Sequence, residues 1–331
     1  MNVPPLHVWV LCSVKGGVGK STLAVGLSQV LSATGGRPLV VDGDLTGTSL
    51  ADGLDLCAPR SMRTAAGALD LSAPPTGAWM SRGETLAARD ARGLATDGEA
   101  PPPPFFNDVL GYRGAYPEQE CFIASAVWRS DPDDGVAYLP SSSLPRDVGQ
   151  ALAWLPVTEP LGPWTRRFAW ILASVAEQMP ETTHVVIDLS PGLFGFATEV
   201  LSLCAHIHGH RPLPTGFPSL DSGQRLDVRA FLVTGADRSD LFAAMEAFVA
   251  LRQQLPTVVP VVNRRTEAPE LVRERLRRRF EHTGFAGLRL EDRLVWVDEH
   301  ATMARLFKQG RLDLTPDASA DLAALIHGRV Q

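Results

Sequence analysis

Val14-Lys15-Gly16-Gly17-Val18-Gly19-Lys20-Ser21-Thr22 is the most informative stretch of this 331-residue chain. It follows an apolar run, His7 to Ser13 (H-V-W-V-L-C-S). It opens into Leu23, Leu27, Val30 and Leu31, spaced i, i+4, i+7, i+8. That order predicts a strand, a glycine-rich turn and a helix with one buried face. Gly16, Gly17 and Gly19, with Val18 among them, let the backbone fold tightly, so that successive N–H groups point inward at the start of a helix. A concave ring of donors added to the positive end of a helix dipole is suited to phosphate. Lys20 is expected against the β- and γ-phosphates of a nucleotide, the Ser21 hydroxyl on Mg²⁺, and Thr22 near the α-phosphate.

Lysine usage sharpens this reading. The chain holds 28 arginines but only three lysines, and two of the three are Lys15 and Lys20. Such a chain keeps an ammonium where a compact charge on a flexible stem is needed and a planar fork would not fit. Lys20 is the usual phosphate lysine, and Lys15, at the front of the loop, is the additional one. K-G-G-V-G-K-S-T resembles the deviant Walker A motif of the MinD/ParA-type P-loop ATPases. In that family the front lysine, here Lys15, reaches across a homodimer interface to the partner's nucleotide. The resemblance therefore implies ATP and Mg²⁺ as ligands and a homodimer formed across ATP.

Three further stretches fit the same resemblance. Arg37 to Asp44 (R-P-L-V-V-D-G-D) is a short apolar strand ending in two carboxylates, similar to the family's switch I. There the second Asp, here Asp44, orients the attacking water beside the metal, and Asp42 is expected to support the lysine or Mg²⁺ from behind. His184 to Gly192 (H-V-V-I-D-L-S-P-G) resembles Walker B and switch II, with Ser190 departing from the usual pattern. Asp188 would hold Mg²⁺ through water, and the Gly192 N–H would sense the γ-phosphate. Val258 to Asn263 (V-V-P-V-V-N) predicts a strand ending in Asn263-Arg264. Family members place an Asn here on the adenine edge, and an amide offers both the donor and the acceptor this needs. The proposed set is thus Lys15, Lys20 and Asp44 for catalysis, Ser21, Asp188 and Asp44 for metal, and Gly192, Asn263 and Arg264 with the loop for nucleotide.

Strand–helix alternation predicts an α/β fold: a doubly wound, mostly parallel sheet with helices on both faces, and the nucleotide at the carboxyl ends of the strands. We expect one domain over 1–331 carrying two insertions. The first, 55–104, is rich in Ala, Gly and Pro, with small helices and no evident strand. The second, 205–229, reads as an irregular Pro/Gly segment. It holds His206, His208 and His210, which would share a face on an extended chain; with no acid or Cys nearby, a solvated loop is the preferred reading over a metal site.

Composition limits the function classes. Apolar residues make up 45% of the chain, no apolar run reaches membrane-spanning length and no leader precedes the first strand, so a cytoplasmic protein is expected. Four scattered cysteines without C-x-x-C fit reduced thiols and argue against a Cys-rich zinc site. A net charge of −6 carries no global bias toward nucleic acid. Locally, Arg264 to Arg279 holds seven arginines against three glutamates, a patch that could track DNA phosphates without sequence preference or serve as a protein-docking or solvated face. The C-terminus lacks a basic amphipathic extension, which argues against a membrane anchor. Three functions remain open: an ATP-driven dimerising switch with slow hydrolysis acting on a protein partner or cargo, a P-loop enzyme phosphorylating or activating a small substrate, and an ATP-binding scaffold.

Overall fold

A computed structural model of the chain describes residues 5–47, 50–62, 69–94, 103–116, 119–130, 135–154, 161–218, 220, 226–281 and 290–327. In chain order the elements are β1 (Leu6–Cys12), α1 (Lys20–Ala33), β2 (Pro38–Gly43), α2 (Leu50–Gly53), α3 (Arg82–Leu94), α4 (Phe106–Ala115), β3 (Trp128–Arg129), β4 (Ala137–Leu139), α5 (Pro145–Trp154), α6 (Pro163–Gln178) and β5 (His184–Leu189). There follow α7 (Phe196–His208), β6 (Leu226–Thr234), α8 (Arg238–Gln254), β7 (Val259–Arg265), α9 (Pro269–Phe280), β8 (Val295–Asp298), the single turns α10 (Ala301–Ala304) and α11 (Leu306–Gln309), and α12 (Pro316–His327).

The strands form one sheet in the order β3-β4-β2-β5-β1-β6-β7-β8. Seven strands run parallel, and only the two-residue β3 is antiparallel, on β4. A parallel sheet is covered on both faces, so its strands read as near-continuous apolar runs. In β1 every residue except His7 is buried. Alternate side chains of β1 enter two separate cores. Leu6, Val8, Val10 and Cys12 join residues of α4, α6, α7 and α8 on one face. Trp9 and Leu11 join Leu23, Leu27 and Leu31 of α1 with Leu322 and Leu325 of α12 on the other. β1 lies between β5 and β6, so the loop leaving it opens at the carboxyl ends of the central strands, where the sheet changes direction of winding.

Two expectations about the second insertion are corrected. The stretch beginning at 205 is not irregular at its start: α7 runs on through His208, and β6 begins at Leu226. His206 and His208 therefore sit two apart on a helix, on opposite sides of it, and do not share a face. Among the described residues no group of three His, Cys, Asp or Glu side chains could hold a metal ion.

The described part of the first insertion is more ordered than its composition suggests. Besides the 13-residue α3 it carries extended pieces added to the sheet edge: Cys57 pairs with Arg129 of β3, and Pro59 pairs with Trp79. Arg89 of α3 donates to the Ala51 carbonyl (2.6 Å) and pairs with Asp52, which ties the insertion to α2. Elsewhere, at the amino ends of the strands, His7 stacks on His184 with ring centres 4.7 Å apart and bonds Asp227 at 2.9 Å.

Candidate functional site

The loop between β1 and α1 turns through left-handed glycines, Gly17 (φ +77°) and Gly19 (φ +85°). Gly19 is the residue before α1, and the helix begins with no side-chain cap and no acid in its first turn. Its first N–H groups are therefore available to an external anion. The backbone angle calls for glycine at Gly19, and a Cβ there, 2.5 Å from Asn263 Nδ2, would also push that side chain aside.

Lys20 is buried at the start of α1, beside a group of carboxylates. Asp42 and Asp188 end adjacent strands and face each other in register. Burial pushes the Asp188 carboxyl up to about 7, reinforced by the neighbouring Asp42 and Asp44 and opposed by Lys20 and by a hydrogen bond from Ser21. Its Oδ1 is buried and has no hydrogen-bond partner. A buried acid with an orphaned oxygen, further acids beside it and a hydroxyl within reach is a donor set suited to a hard divalent cation. Ser21 and Asp188 thus fit a magnesium ion on this chain's own chemistry.

Asp42 is engaged with the loop after β2 and with Ser141. Its carboxylate accepts from the backbone N–H of Asp44 (3.2 Å), Leu50 (2.9 Å) and Ser141 (3.2 Å), and from the Ser141 hydroxyl (2.8 Å). Burial still raises it, to about 6. Asp42 therefore fastens the two ends of the loop that follows β2 to the end of β4. Ser141, in the Leu-Pro-Ser stretch after β4, also donates to the Asp44 carbonyl at 3.0 Å, and it is a site residue that sequence reading passed over. Asp44 is half-buried, with its carboxylate turned back onto Thr46 and Gly47 of its own loop.

The remaining residues are placed around the loop. Gly192 has φ +90°, and its N–H donates to the Ser13 carbonyl at 2.9 Å, so in this structure it holds the segment after β5 against the base of the loop. β7 has one extra residue relative to β8 between Val262 and Arg265, a bulge that turns Asn263 and Arg264 toward the loop. Asn263 is buried and donates from Nδ2 to the Val18 carbonyl (2.8 Å). Arg264, at φ +56°, donates to the Gly17 carbonyl (3.0 Å). Both thus brace the loop from outside. Lys15 points away from the acid group: its ammonium bonds Asp240 Oδ1 (2.6 Å) and Ser239 Oγ (3.1 Å) in the first turn of α8.

The basic stretch 264–279 is less available than its composition implies. Arg264 is on the loop, Arg265 pairs with Asp298 (2.6 Å), and Arg273 lies over Trp296. Arg275 pairs with Glu267, while Arg277 and Arg278 share Glu274. The local excess of positive charge is thus partly neutralised and partly turned inward.

A parallel sheet with an anion cradle at the switch point and a buried lysine at the start of the following helix define a P-loop nucleotide-binding protein. The model of the CobQ/CobB/MinD/ParA nucleotide binding domain matches residues 9–293, and the chain belongs to that family. Three solved structures share the fold. A putative plasmid partition protein from Borrelia burgdorferi B31 bound to AMPPNP is 13% identical, with 98% of each chain covered and a TM-score of 0.53. The cell division ATPase MinD of Pyrococcus furiosus is 17% identical, with 97% of this chain and 98% of the other covered, at 0.52. A complex of a substituted McdA from Cyanothece with ATP is 13% identical, with 98% of this chain and 96% of the other covered, at 0.53. No curated protein is close enough in sequence to register as a relative.

Proposed function

We propose that this chain is an ATP-driven, Mg²⁺-dependent dimerising switch with slow, partner-stimulated hydrolysis, used to position or partition a partner or cargo. The observation that carries this reading is the placement of the two loop lysines. Lys20 faces the buried acids of its own chain, whereas the half-exposed Lys15 is held outward on α8. A phosphate lysine directed away from its own cradle suits service at a second copy's nucleotide. The structural likeness to partition, division-site and McdA proteins supports the same class of task.

In this reading the amides of Gly16 to Thr22 grip the phosphates, and Lys20 offsets their charge. Ser21 and Asp188 would hold magnesium, which when bound would further neutralise the phosphate oxygens. Asp44 leaves its own loop to orient the attacking water, and Gly192 exchanges the Ser13 carbonyl for the terminal phosphate. Asn263 and Arg264 keep the loop in shape and bring an amide to the base side. Lys15 leaves Asp240 when two copies meet. Light scattering and phosphate release, each with and without Mg-ATP, test the assignment. Lys20→Ala is expected to abolish ATP binding, and Asp44→Ala to trap an ATP-loaded dimer that no longer hydrolyses. An Asp44→Ala protein that stays monomeric with ATP and hydrolyses at the wild-type rate would sink it.

A further inference from the structure

The main chain of Asp44 is held on both sides. Its N–H donates to Asp42 Oδ1 (3.2 Å), and its carbonyl accepts from the Ser141 hydroxyl (3.0 Å). Leu45, the next residue, is buried in the core. The Asp44 carboxylate, by contrast, meets the N–H and hydroxyl of the exposed Thr46 at 3.3 and 3.4 Å, near the limit of a hydrogen bond. With the peptide fixed and the side chain loosely held, the carboxylate can be redirected by rotation about its own side-chain bonds alone.

The grip on that carbonyl comes from a segment that is itself immobilised. Ser141 is fully buried. Before it, the Pro140 carbonyl accepts from the Phe106 N–H at the start of α4 (2.8 Å). After it, the Ser142 N–H donates to Asn107 Oδ1 of α4 (2.8 Å), and the Ser142 hydroxyl donates to Asp147 of α5 (2.5 Å). Pairing the buried Asp42 does not by itself account for the Ser141 hydroxyl. Asp42 already accepts from three main-chain N–H groups, those of Asp44, Leu50 and Ser141. What the hydroxyl adds is a proton shared between Asp42 Oδ2 at 2.8 Å and the Asp44 carbonyl at 3.0 Å, which joins the two acidic residues into one unit.

We propose that Ser141 is a positioning residue for ATP hydrolysis. It keeps the Asp44 peptide in register with the buried acids, so that only the carboxylate has to swing to the attacking water. Fixing the main chain beforehand lowers the entropy lost in reaching the reactive arrangement, and a reacting group set on a braced segment holds its geometry better than one on a free loop. This deepens the switch reading and rests on it for the role of Asp44.

The test measures phosphate release at saturating Mg-ATP, and equilibrium binding of a fluorescent ATP analogue, on the full chain. Ser141→Ala is compared with wild type and with Ser174→Ala, which removes another buried hydroxyl, one bonded to Arg113 (2.8 Å) outside the site. Ser141→Ala is expected to lower kcat by about tenfold while nucleotide affinity stays within about twofold, the split of an interaction that matters for reaction and not for binding. Ser174→Ala should keep the wild-type kcat. Should circular dichroism show that Ser141→Ala does not fold, Ser141→Cys, close in size and a much weaker donor, carries the same expectation and is read by the same criteria. The proposal is overturned if the Ser141 variant turns over at the wild-type rate, or if it loses nucleotide affinity in proportion to kcat. It is also overturned if Ser174→Ala loses kcat equally. An Asp44→Ala chain that hydrolyses at the wild-type rate would take down the switch reading and the role of Ser141 with it. An inactive Asp44→Ala beside a fully active Ser141→Ala would remove the role of Ser141 alone.

Discussion

At Asp188 a single buried carboxylate is held at a cost to the fold. Buried, beside two other acids and with one oxygen unpartnered, it is ionised only against its surroundings, and its folded pKa of about 7 lies well above the ordinary carboxylate value. The sign follows from linkage: a raised carboxyl pKa means that the metal-free folded state gains stability as pH falls from above 7 toward 4, where the unfolded chain's Asp still ionises. Asp188→Asn should therefore stabilise the metal-free protein at pH 8 by about 1–2 kcal/mol in urea unfolding while abolishing Mg²⁺-dependent hydrolysis. That Lys20, Ser21 and Asp188 would lie together could be expected from the sequence, because the loop and the end of β5 meet at the same edge of the sheet. The partner of Lys15 could not, since 225 residues separate it from Asp240 and only the fold joins them. Asp240→Asn removes one charge from that contact. Partly exposed pairs are worth about 0.2–1 kcal/mol, so ATP-dependent dimerisation should tighten by up to about fivefold for each such contact released, read in light scattering.

At the scale of elements, the strand, loop and helix around residues 7–33 are legible because apolar periodicity, glycines and polar loop residues agree over the whole stretch. The first insertion is legible only in part: a small helix is expected there and α3 supplies it, but its extended pieces pair through only a few residues each, too short for a period-two pattern to register. The end of α7 is hidden because His, Gly and Pro cluster after it and move the turn signal several residues early. Arg89 caps the carboxyl end of α2 by bonding the Ala51 carbonyl while pairing with Asp52. Arg89→Ala should lower stability by about 1–2 kcal/mol. Hydrogen exchange should show faster loss of protection in Leu50–Gly53 than in β1, because the contact holds a single turn beside the loop after β2.

For the molecule as a whole, the sheet separates two clusters: Lys20 with Asp42, Asp44 and Asp188 at the carboxyl ends of the strands, and the stacked imidazoles of His7 and His184 with Asp227 at the amino ends. At the latter, burial pushes His184 down to about 4, helped by His7 beside it and opposed by Asp227. A His pKa below its unfolded value of about 6.5 contributes stability that is present in full above pH 6.5 and lost as pH falls toward 4. His184 is partly solvated, so the contribution is on the order of 1 kcal/mol. His184→Gln should remove that part of the slope, seen as the difference between variant and wild type in urea midpoints at pH 7 and pH 4.5. The residues at 57–59 and 78–80 bear on the whole assembly too, because they clothe the outer flank of the short antiparallel strand β3. A bare strand flank invites lateral stacking of copies into fibres. With that flank dressed by short, proline-bearing chain, self-association by that route is discouraged.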